Sequence, residues 1–183
     1  CTVVKDFIDN GDLGEIYYAK ATYLRRNGNL GGWFGDKSRS GGGPLIDLGV
    51  HVIDLVRYLM GNPKAVSVYG ATFHKLGNRK NIKSAKNYAS VSAGKDDICD
   101  VEDFAAAMIR FDNGAVLNVE TSFSLNLKKD EGNIQLFGTK GGVRLDPEFE
   151  MFTETNGYLS DIKLATQTAL DFNGLFENEI AHF

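Results

Sequence analysis

An Asn-Gly turn between two strand-like segments is the feature that most restricts how this chain can fold. Asn113 and Gly114 separate VEDFAAAMIRF from AVLNVETSFSLNL, and an Asn-Gly pair between such segments is the strongest short-range signal for a β-hairpin. In the second segment, Leu117, Val119 and Phe123 alternate with polar residues. A period of two residues predicts a strand with one buried face and one polar face.

Further strands are predicted before and after this hairpin, because β-branched and aromatic residues are concentrated there. They are EIYYAKATYLRR, AVSVYGATF, the two halves of GNIQLFGTKGGVRLDP, EFEMFTE and GYLSDIKLA. Helical periodicity occurs nearer the two ends, in TVVKDFIDNGDLG, in the segment from Pro44 to Gly61 and in LFENEIAHF. Strands joined in succession by short turns predict an α+β fold, with an open, mostly antiparallel sheet and helices on one face.

Two segments are predicted to be irregular. Residues 27–43 contain seven glycines, which predicts a loop that moves or approaches something closely. Residues 75–97 contain six lysines and arginines without a clear period, and a long mobile loop is predicted there. The basic residues of this second loop either lie in solvent or guide an anionic ligand, and the pattern favours the first interpretation.

The composition favours a single domain with an ordinary core. The chain has 183 residues, 43% of them hydrophobic, and a net charge of -4, which argues against nucleic acid or an anionic membrane as the main partner. Apolar runs stay below the roughly 20 residues of a membrane helix, so a cytoplasmic location is expected. Cys1 and Cys99 lack the spacing of a metal site or a disulfide framework. A start at Cys1 and an uncapped helical end at Phe183 predict a fragment of a longer protein.

The helix that follows GGGP carries an unusual set of polar side chains. At about 100° per residue, they fall within one narrow arc formed by Asp47, His51, Asp54 and Tyr58. Aliphatic residues occupy most of the remaining surface, so the helix is predicted to be buried on nearly every side. Because a buried charge is costly unless it is paired, we expect the arc to face a partner network or a cavity.

Three interpretations of the arc remain open. The side chains are satisfied structural groups, they bind a metal ion, or Asp47 and His51 form a proton-transfer pair in which the carboxylate orients the imidazole and raises its basicity. The triple glycine Gly41 to Gly43 favours the last interpretation, since glycine lets backbone approach a ligand. Pro44 fits the first helical position, and the helix amides would then lie free beside the site. The chain has no G-x-G-x-x-G or G-K-[ST] sequence, so no nucleotide site is predicted within it.

The stretch GGGPLIDLGVHVIDLVRYLMG resembles the hallmark of the glucose-fructose oxidoreductase, inositol dehydrogenase and MocA family (Gfo/Idh/MocA). Other segments that resemble the family's C-terminal domain are GDLGEIYYAKATYLRR, VEDFAAAMIRFDNGAVLNVETSF, QLFGTKGGVRLDP and LFENEIAHF. The resemblance implies that residues 1–183 form a substrate and dimerisation domain of the glyceraldehyde-3-phosphate dehydrogenase type, which forms a homo-oligomer through the free face of its sheet. It also implies a preceding Rossmann domain, with NAD or NADP and an E-K-P lysine, and a following terminal helix. The isolated chain is therefore expected to be inactive.

The resemblance also implies roles for four residues. Asp47 and His51 match the catalytic aspartate and histidine, with His51 as general base on a substrate hydroxyl and Asp47 setting its orientation and charge. Asp54 matches an aspartate that helps hold the substrate, and Trp33 lies in the loop that closes over it. The implied activity is that of an NAD(P)-dependent oxidoreductase acting on a sugar, inositol or related polyol. A non-catalytic binding or dimerisation module derived from the family is the alternative.

Overall fold

The structure, a computed structural model, describes residues 2–77, 79, 82, 83, 88–145, 148–165, 177, 180 and 181. Within them, eight strands form one sheet in the spatial order β2-β3-β4-β1-β5-β6-β7-β8. The strands are β1 (Ile16–Leu24), β2 (Ala65–Phe73), β3 (Phe104–Phe111), β4 (Val116–Ser122), β5 (Glu131–Gly138), β6 (Gly141–Arg144), β7 (Glu150–Thr155) and β8 (Tyr158–Lys163). The helices are α1 (Thr2–Asp9), α2 (Lys37–Ser40) and α3 (Val50–Leu59), with a 3-10 turn at Gly32–Gly35 and a π-turn at Leu45–Gly49.

The sheet is mixed but mostly antiparallel. Six of its strand pairs are antiparallel. The exception joins β1 to β4 in parallel, with Tyr18 opposite Val116 and Leu24 opposite Ser122. Helices α1 and α3 both pack against the same face of the sheet. The predicted α+β fold, with an open and mostly antiparallel sheet covered by helices on one face, is therefore confirmed.

The predicted hairpin at Asn113-Gly114 joins β3 to β4. The Gly114 amide donates to the Phe111 carbonyl at 3.0 Å, and the Phe111 amide donates to the Ala115 carbonyl at 2.9 Å. Gly114 has a φ of 87°, a left-handed conformation that glycine adopts without strain. The turn thus fixes the register of the two strands.

The main core lies between the sheet and helices α1 and α3. The helical period places Val52, Val56 and Leu59 on the side of α3 that faces the sheet. The fully buried sheet residues that meet them in this core include Ala19, Leu117 and Leu136. Burying a valine or leucine side chain stabilises a fold by about 1.5–3 kcal/mol relative to exposing it, so this contact holds α3 firmly on the sheet.

The opposite face of the sheet, here called the open face, carries aromatic, aliphatic and charged side chains. The strand register places on it Tyr18, Lys20, Tyr69, Phe73, Phe104, Met108, Glu120, Phe137 and Phe152. Phe73 stacks on Phe104 with ring centroids 5.5 Å apart. Tyr69 and Met108 remain 84% and 49% exposed, so this face presents a large apolar component to solvent.

The helix after the triple glycine departs from the prediction in two ways. It begins at Pro44 as predicted, but residues 45–49 form a π-turn before α3 continues. The prediction of burial on nearly every side is wrong, because Ile46, Val50 and Tyr58 are 50%, 48% and 45% exposed. One side of the helix faces the sheet, and no element of the described chain covers the opposite side.

The described parts of the two predicted loops contain short helical turns and hydrogen bonds between the loops. Residues 27–43 contain the 3-10 turn and α2, so the prediction of a loop throughout is wrong. The end of the second loop packs along this segment, and the Ser90 amide donates to the Leu30 carbonyl at 2.7 Å. Residues 78, 80, 81 and 84–87 of that loop, and most of the predicted helix LFENEIAHF, lie outside the described residues.

Candidate active site

The candidate site is built on the π-turn and α3. The amides of Ile46 and Asp47 both donate to the Gly43 carbonyl, at 3.2 and 3.1 Å. The Leu45 amide donates to the carboxylate of Glu102 at 3.3 Å. The expectation that the first helix amides lie free for a ligand is therefore wrong for these three residues, because the chain itself supplies their acceptors.

The glycine at position 43 is required by the packing of the chain. A Cβ on Gly43 would lie 2.2 Å from the carbonyl oxygen of Glu102, so only glycine allows this approach. The predicted close approach at the triple glycine thus occurs, but the approaching group is backbone and not a ligand. Leu48 of the π-turn packs with Val101 and Phe123 in a second small core, which anchors the turn.

The predicted arc of polar side chains divides into two groups. Three of its members line a pocket of about 410 Å³ with two aliphatic residues; the lining residues are Val50, His51, Asp54, Leu55 and Tyr58. Asp47 is half-buried and does not line this pocket. A π-turn holds more residues per turn than an α-helix, so Asp47 is rotated away from the position that a uniform α-helix predicts.

The charge of Asp47 is controlled by burial and by two neighbours. Burial raises the pKa of Asp47 above its ordinary value, while the nearby charges of Arg25 and His51 partly offset that rise. The described residues show no hydrogen bond between Asp47 and His51, so the two groups interact through their charges. An ionised carboxylate at this range stabilises positive charge on the imidazole, which suits a histidine that accepts a proton.

Arg25 is a candidate site residue that the sequence reasoning missed. Its side chain is only 7% exposed, and its guanidinium lies 4.1 Å from the ring centroid of Tyr88 and 5.3 Å from that of Tyr23. One signal could have revealed it, because Arg25 follows the core-facing alternation of Ala19, Ala21 and the partly buried Tyr23, one step beyond β1. A charged residue at that register position is predicted to be buried and to need a partner.

Trp33 lies in the 3-10 turn and not on the helix. Its ring is 38% exposed and stacks on Phe34 at 4.0 Å. In the described part of the chain, no hydrogen bond or ring contact joins it to Asp47, His51 or Asp54. The structure therefore brings His51 and Asp54 together in one pocket, leaves Asp47 outside its lining, and holds Trp33 in a separate element.

The 3-10 turn of Trp33 is held by residues 88–100. The Gly32 amide donates to Asp97 at 2.6 Å, and the Lys37 amide donates to Asp100 at 2.7 Å. A Cβ on Gly32 would lie 2.1 Å from the Ser92 hydroxyl oxygen. The glycines of this loop thus permit close packing of two chain segments, which agrees with the predicted close approach.

The described residues contain no group of three or more His, Cys, Asp or Glu side chains arranged to hold a metal ion. They also contain no helix that is both long enough and apolar enough to cross a membrane. Cys99 accepts a hydrogen bond from Asn29 at 3.3 Å, whereas Cys1 lies outside the described part.

Comparison with known proteins agrees with the fold. The model of the GFO/IDH/MocA C-terminal domain matches residues 2–144. D-glucoside 3-dehydrogenase of Escherichia coli is 37% identical over 159 residues, which are 85% of this chain and 43% of that protein. Levoglucosan dehydrogenase of Pseudarthrobacter phenanthrenivorans is 31% identical over 147 residues, which are 77% of this chain and 37% of that protein.

A solved structure shows the same architecture. Levoglucosan dehydrogenase in complex with NADH and L-sorbose matches with a TM-score of 0.68 and 25% identity, covering 89% of this chain and 43% of that chain. Fold and helix motif together define a C-terminal α+β domain of the oxidoreductase type. The chain belongs to the Gfo/Idh/MocA family, as the resemblance predicted. It spans less than half the length of the relatives that it matches.

Proposed function

We propose that this chain is the substrate-binding and catalytic half of an NAD(P)-dependent oxidoreductase that acts on a sugar, inositol or related polyol. The observation that carries the proposal is the exposed pair His51 and Asp54 in one pocket, with the charge of Asp47 close to the imidazole. Two relatives are named as dehydrogenases of a glucoside and of levoglucosan. Their names support a hydroxylated sugar as the substrate class.

In the proposed reaction, His51 removes the proton of a substrate hydroxyl while hydride leaves the carbon that bears it. The alcohol thereby becomes a carbonyl, and the proton stays on the imidazole. Asp47 stabilises the positive charge that His51 gains. Asp54 lies three residues after His51 on α3 and lines the same pocket. It accepts hydrogen bonds from neighbouring hydroxyls of the substrate, which orients the sugar ring. Proton transfer by a positioned side chain contributes about 10²–10⁴-fold to such a rate.

NAD or NADP supplies the hydride acceptor when it is bound. The described residues fit a nicotinamide ring, since Val50, which lines the pocket with His51, is 48% exposed and offers an apolar surface. We assign most of the cofactor to a Rossmann domain outside residues 1–183, because the chain has no G-x-G-x-x-G sequence. A solved complex of levoglucosan dehydrogenase with NADH supports this class of cofactor. The isolated chain is accordingly expected to be inactive.

We propose that Trp33 covers the bound substrate. We also propose that the open face forms the interface of a symmetric homo-oligomer. The Trp33 ring is exposed and stacks on Phe34, so it offers an aromatic surface to a sugar ring. The exposed Tyr69 and Met108 on the open face suit burial against a second copy of the chain. We also propose a cytoplasmic location and a small-molecule substrate, with neither nucleic acid nor membrane as partner. The net charge of -4 supports the absence of a nucleic-acid or anionic-membrane partner.

The test is an assay of the full-length protein. Oxidation of a panel of glucosides, anhydrosugars and inositols is followed through the appearance of reduced NAD or NADP. We expect at least one polyol to give saturable turnover. A full-length protein that binds these sugars without turning any of them over would favour the non-catalytic module, and a protein that neither binds nor oxidises them would contradict the substrate class.

A further inference from the structure

Arg25 is a buried cation that has no role in the reaction as described above. Its side chain is 7% exposed, and its buried Nε atom has no hydrogen-bond partner. The recorded hydrogen bond of the guanidinium runs from Nη1 to the Gly28 carbonyl at 3.4 Å. No carboxylate of the described residues lies within ion-pair distance of it. Removing an arginine from water without such a partner is costly, which points to a function for its charge.

The surroundings of Arg25 connect it to the candidate site on one side. Tyr23 packs against the small core that contains Leu48 of the π-turn, and the guanidinium lies 5.3 Å from the Tyr23 ring centroid. The charge of Arg25 reaches Asp47 and lowers its pKa against the effect of burial. Arg25 is therefore adjacent to the π-turn through both packing and charge.

On the other side, Arg25 meets the segment that holds the Trp33 turn. The guanidinium lies 4.1 Å from the Tyr88 ring centroid, a distance at which its positive charge is attracted to the face of the ring. The Tyr88 hydroxyl donates to Asp130 at 3.3 Å. Two residues further on, the Ser90 amide bonds the Leu30 carbonyl. Arginine suits this place better than lysine, because its planar guanidinium stacks on aromatic rings.

We propose that Arg25 is a positioning residue of the candidate site, which supplies the positive charge beside Asp47 and fastens residues 88–100 to the π-turn through Tyr23 and Tyr88. The proposal rests on the proposed function, since it assigns a role in that reaction. The charged and titratable groups that face Asp47 are Arg25 from the end of β1 and His51 from α3. Glu102 faces the start of the π-turn through the Leu45 amide.

The test compares Arg25→Met with Arg26→Met in the full-length protein, through the pH dependence of kcat/KM. Arg26 is the matched control, because it is the next residue, is exposed and bonds the Lys128 carbonyl at 2.9 Å. Without the Arg25 charge, Asp47 keeps its proton to a higher pH. The quantity compared is the ratio of kcat/KM at acidic pH to kcat/KM at neutral pH. We expect this ratio to be at least about threefold lower in Arg25→Met than in wild type. Arg25→Lys should restore the wild-type profile in large part, and Arg26→Met should leave it unchanged.

A role that is only structural would lower kcat/KM by the same factor at every pH, and that result would overturn the proposal. If circular dichroism shows that Arg25→Met does not fold, Tyr88→Leu decides. That variant exposes the guanidinium to water, which weakens its electrostatic effect on Asp47. We therefore expect the pH profile of kcat/KM to shift in the same direction as in Arg25→Met, but by less. An unchanged profile would overturn the proposal. An active enzyme that depends on Asp47 but shows no shift refutes only the role of Arg25. Absence of NAD(P)-dependent turnover, or full turnover in Asp47→Ala, refutes the proposed function as well.

Discussion

Gly43 lies so close to Glu102 that a Cβ at position 43 would stand 2.2 Å from the Glu102 carbonyl oxygen. Gly43→Ala should therefore displace the start of the π-turn, whose Ile46 and Asp47 amides bond the Gly43 carbonyl. We expect a loss of stability of about 1–3 kcal/mol from this overpacking. We also expect kcat/KM to fall more in this variant than in the control variant below. Urea unfolding and steady-state kinetics of the full-length protein measure the two effects. Gly94→Ala is the control, since a Cβ there meets Asp97 at an ordinary 3.4 Å, and equal effects of the two variants would contradict the account.

The core between α3 and the sheet predicts the effect of Leu136→Ala. Leu136 is completely buried in the main core, so its truncation should cost about 2–5 kcal/mol of unfolding free energy. Leu159 is 94% exposed on β8, and Leu159→Ala should change the stability by no more than about 0.5 kcal/mol. Urea unfolding followed by fluorescence compares the two. Similar losses for both would show that the assignment of the core is wrong.

The open face predicts how the protein associates. Met108 is 49% exposed at the centre of β3 on this face, and Met108→Glu would place a charge in the proposed interface between two copies. We expect sedimentation velocity to show a shift from dimer toward monomer. Val91 is fully exposed in a loop away from the sheet, so Val91→Glu should sediment like wild type. A wild-type protein that stays monomeric at high micromolar concentration would contradict the proposed interface.

The raised pKa of Asp47 predicts that removing its charge increases stability but decreases turnover. Because burial raises the folded-state pKa of Asp47, ionisation is less favourable in the folded protein than in the unfolded chain, and stability falls as pH rises through that pKa. Asp47→Asn cannot ionise, so its melting temperature should exceed that of wild type near neutral pH, while its turnover should be lower. The difference should shrink as pH falls through the raised folded-state pKa toward about 4 and should vanish below that, where the carboxyl is protonated in both states. Asp54→Asn, on the exposed side of the same helix, is the control. A melting-temperature difference that does not vary with pH would contradict the effect of burial.

Local patterns in the sequence predicted most of the sheet. The Asn-Gly turn, the alternation in β4 and the turn residues between strands carry information over a few positions, and the corresponding strands are present. The parallel pairing of β1 with β4 was not predicted, because it joins segments far apart in the chain. The alternation of side chains along β1, continued by one residue, would nevertheless have placed Arg25 on the face of the sheet that is buried.

The candidate site was predicted less completely. Helical spacing grouped His51, Asp54 and Tyr58, which do line one pocket. A uniform step of 100° per residue does not allow for the π-turn at Leu45–Gly49, and Asp47 does not line that pocket. Glu102, which accepts a hydrogen bond from the Leu45 amide, comes from a distant segment. The exposed side of α3 was missed for a related reason: aliphatic residues such as Val50 indicate burial, but not which partner provides it.

The central claim is that His51 is the proton acceptor in an NAD(P)-dependent oxidation of a polyol. The most direct test is kcat at saturating substrate for the full-length His51→Ala variant, with His74→Ala as control because His74 is an exposed histidine outside the pocket. Loss of the general base should lower kcat by about 10²–10⁴-fold with cofactor affinity retained, whereas His74→Ala should keep the wild-type rate. A His51→Ala enzyme that retains the wild-type kcat would contradict the account.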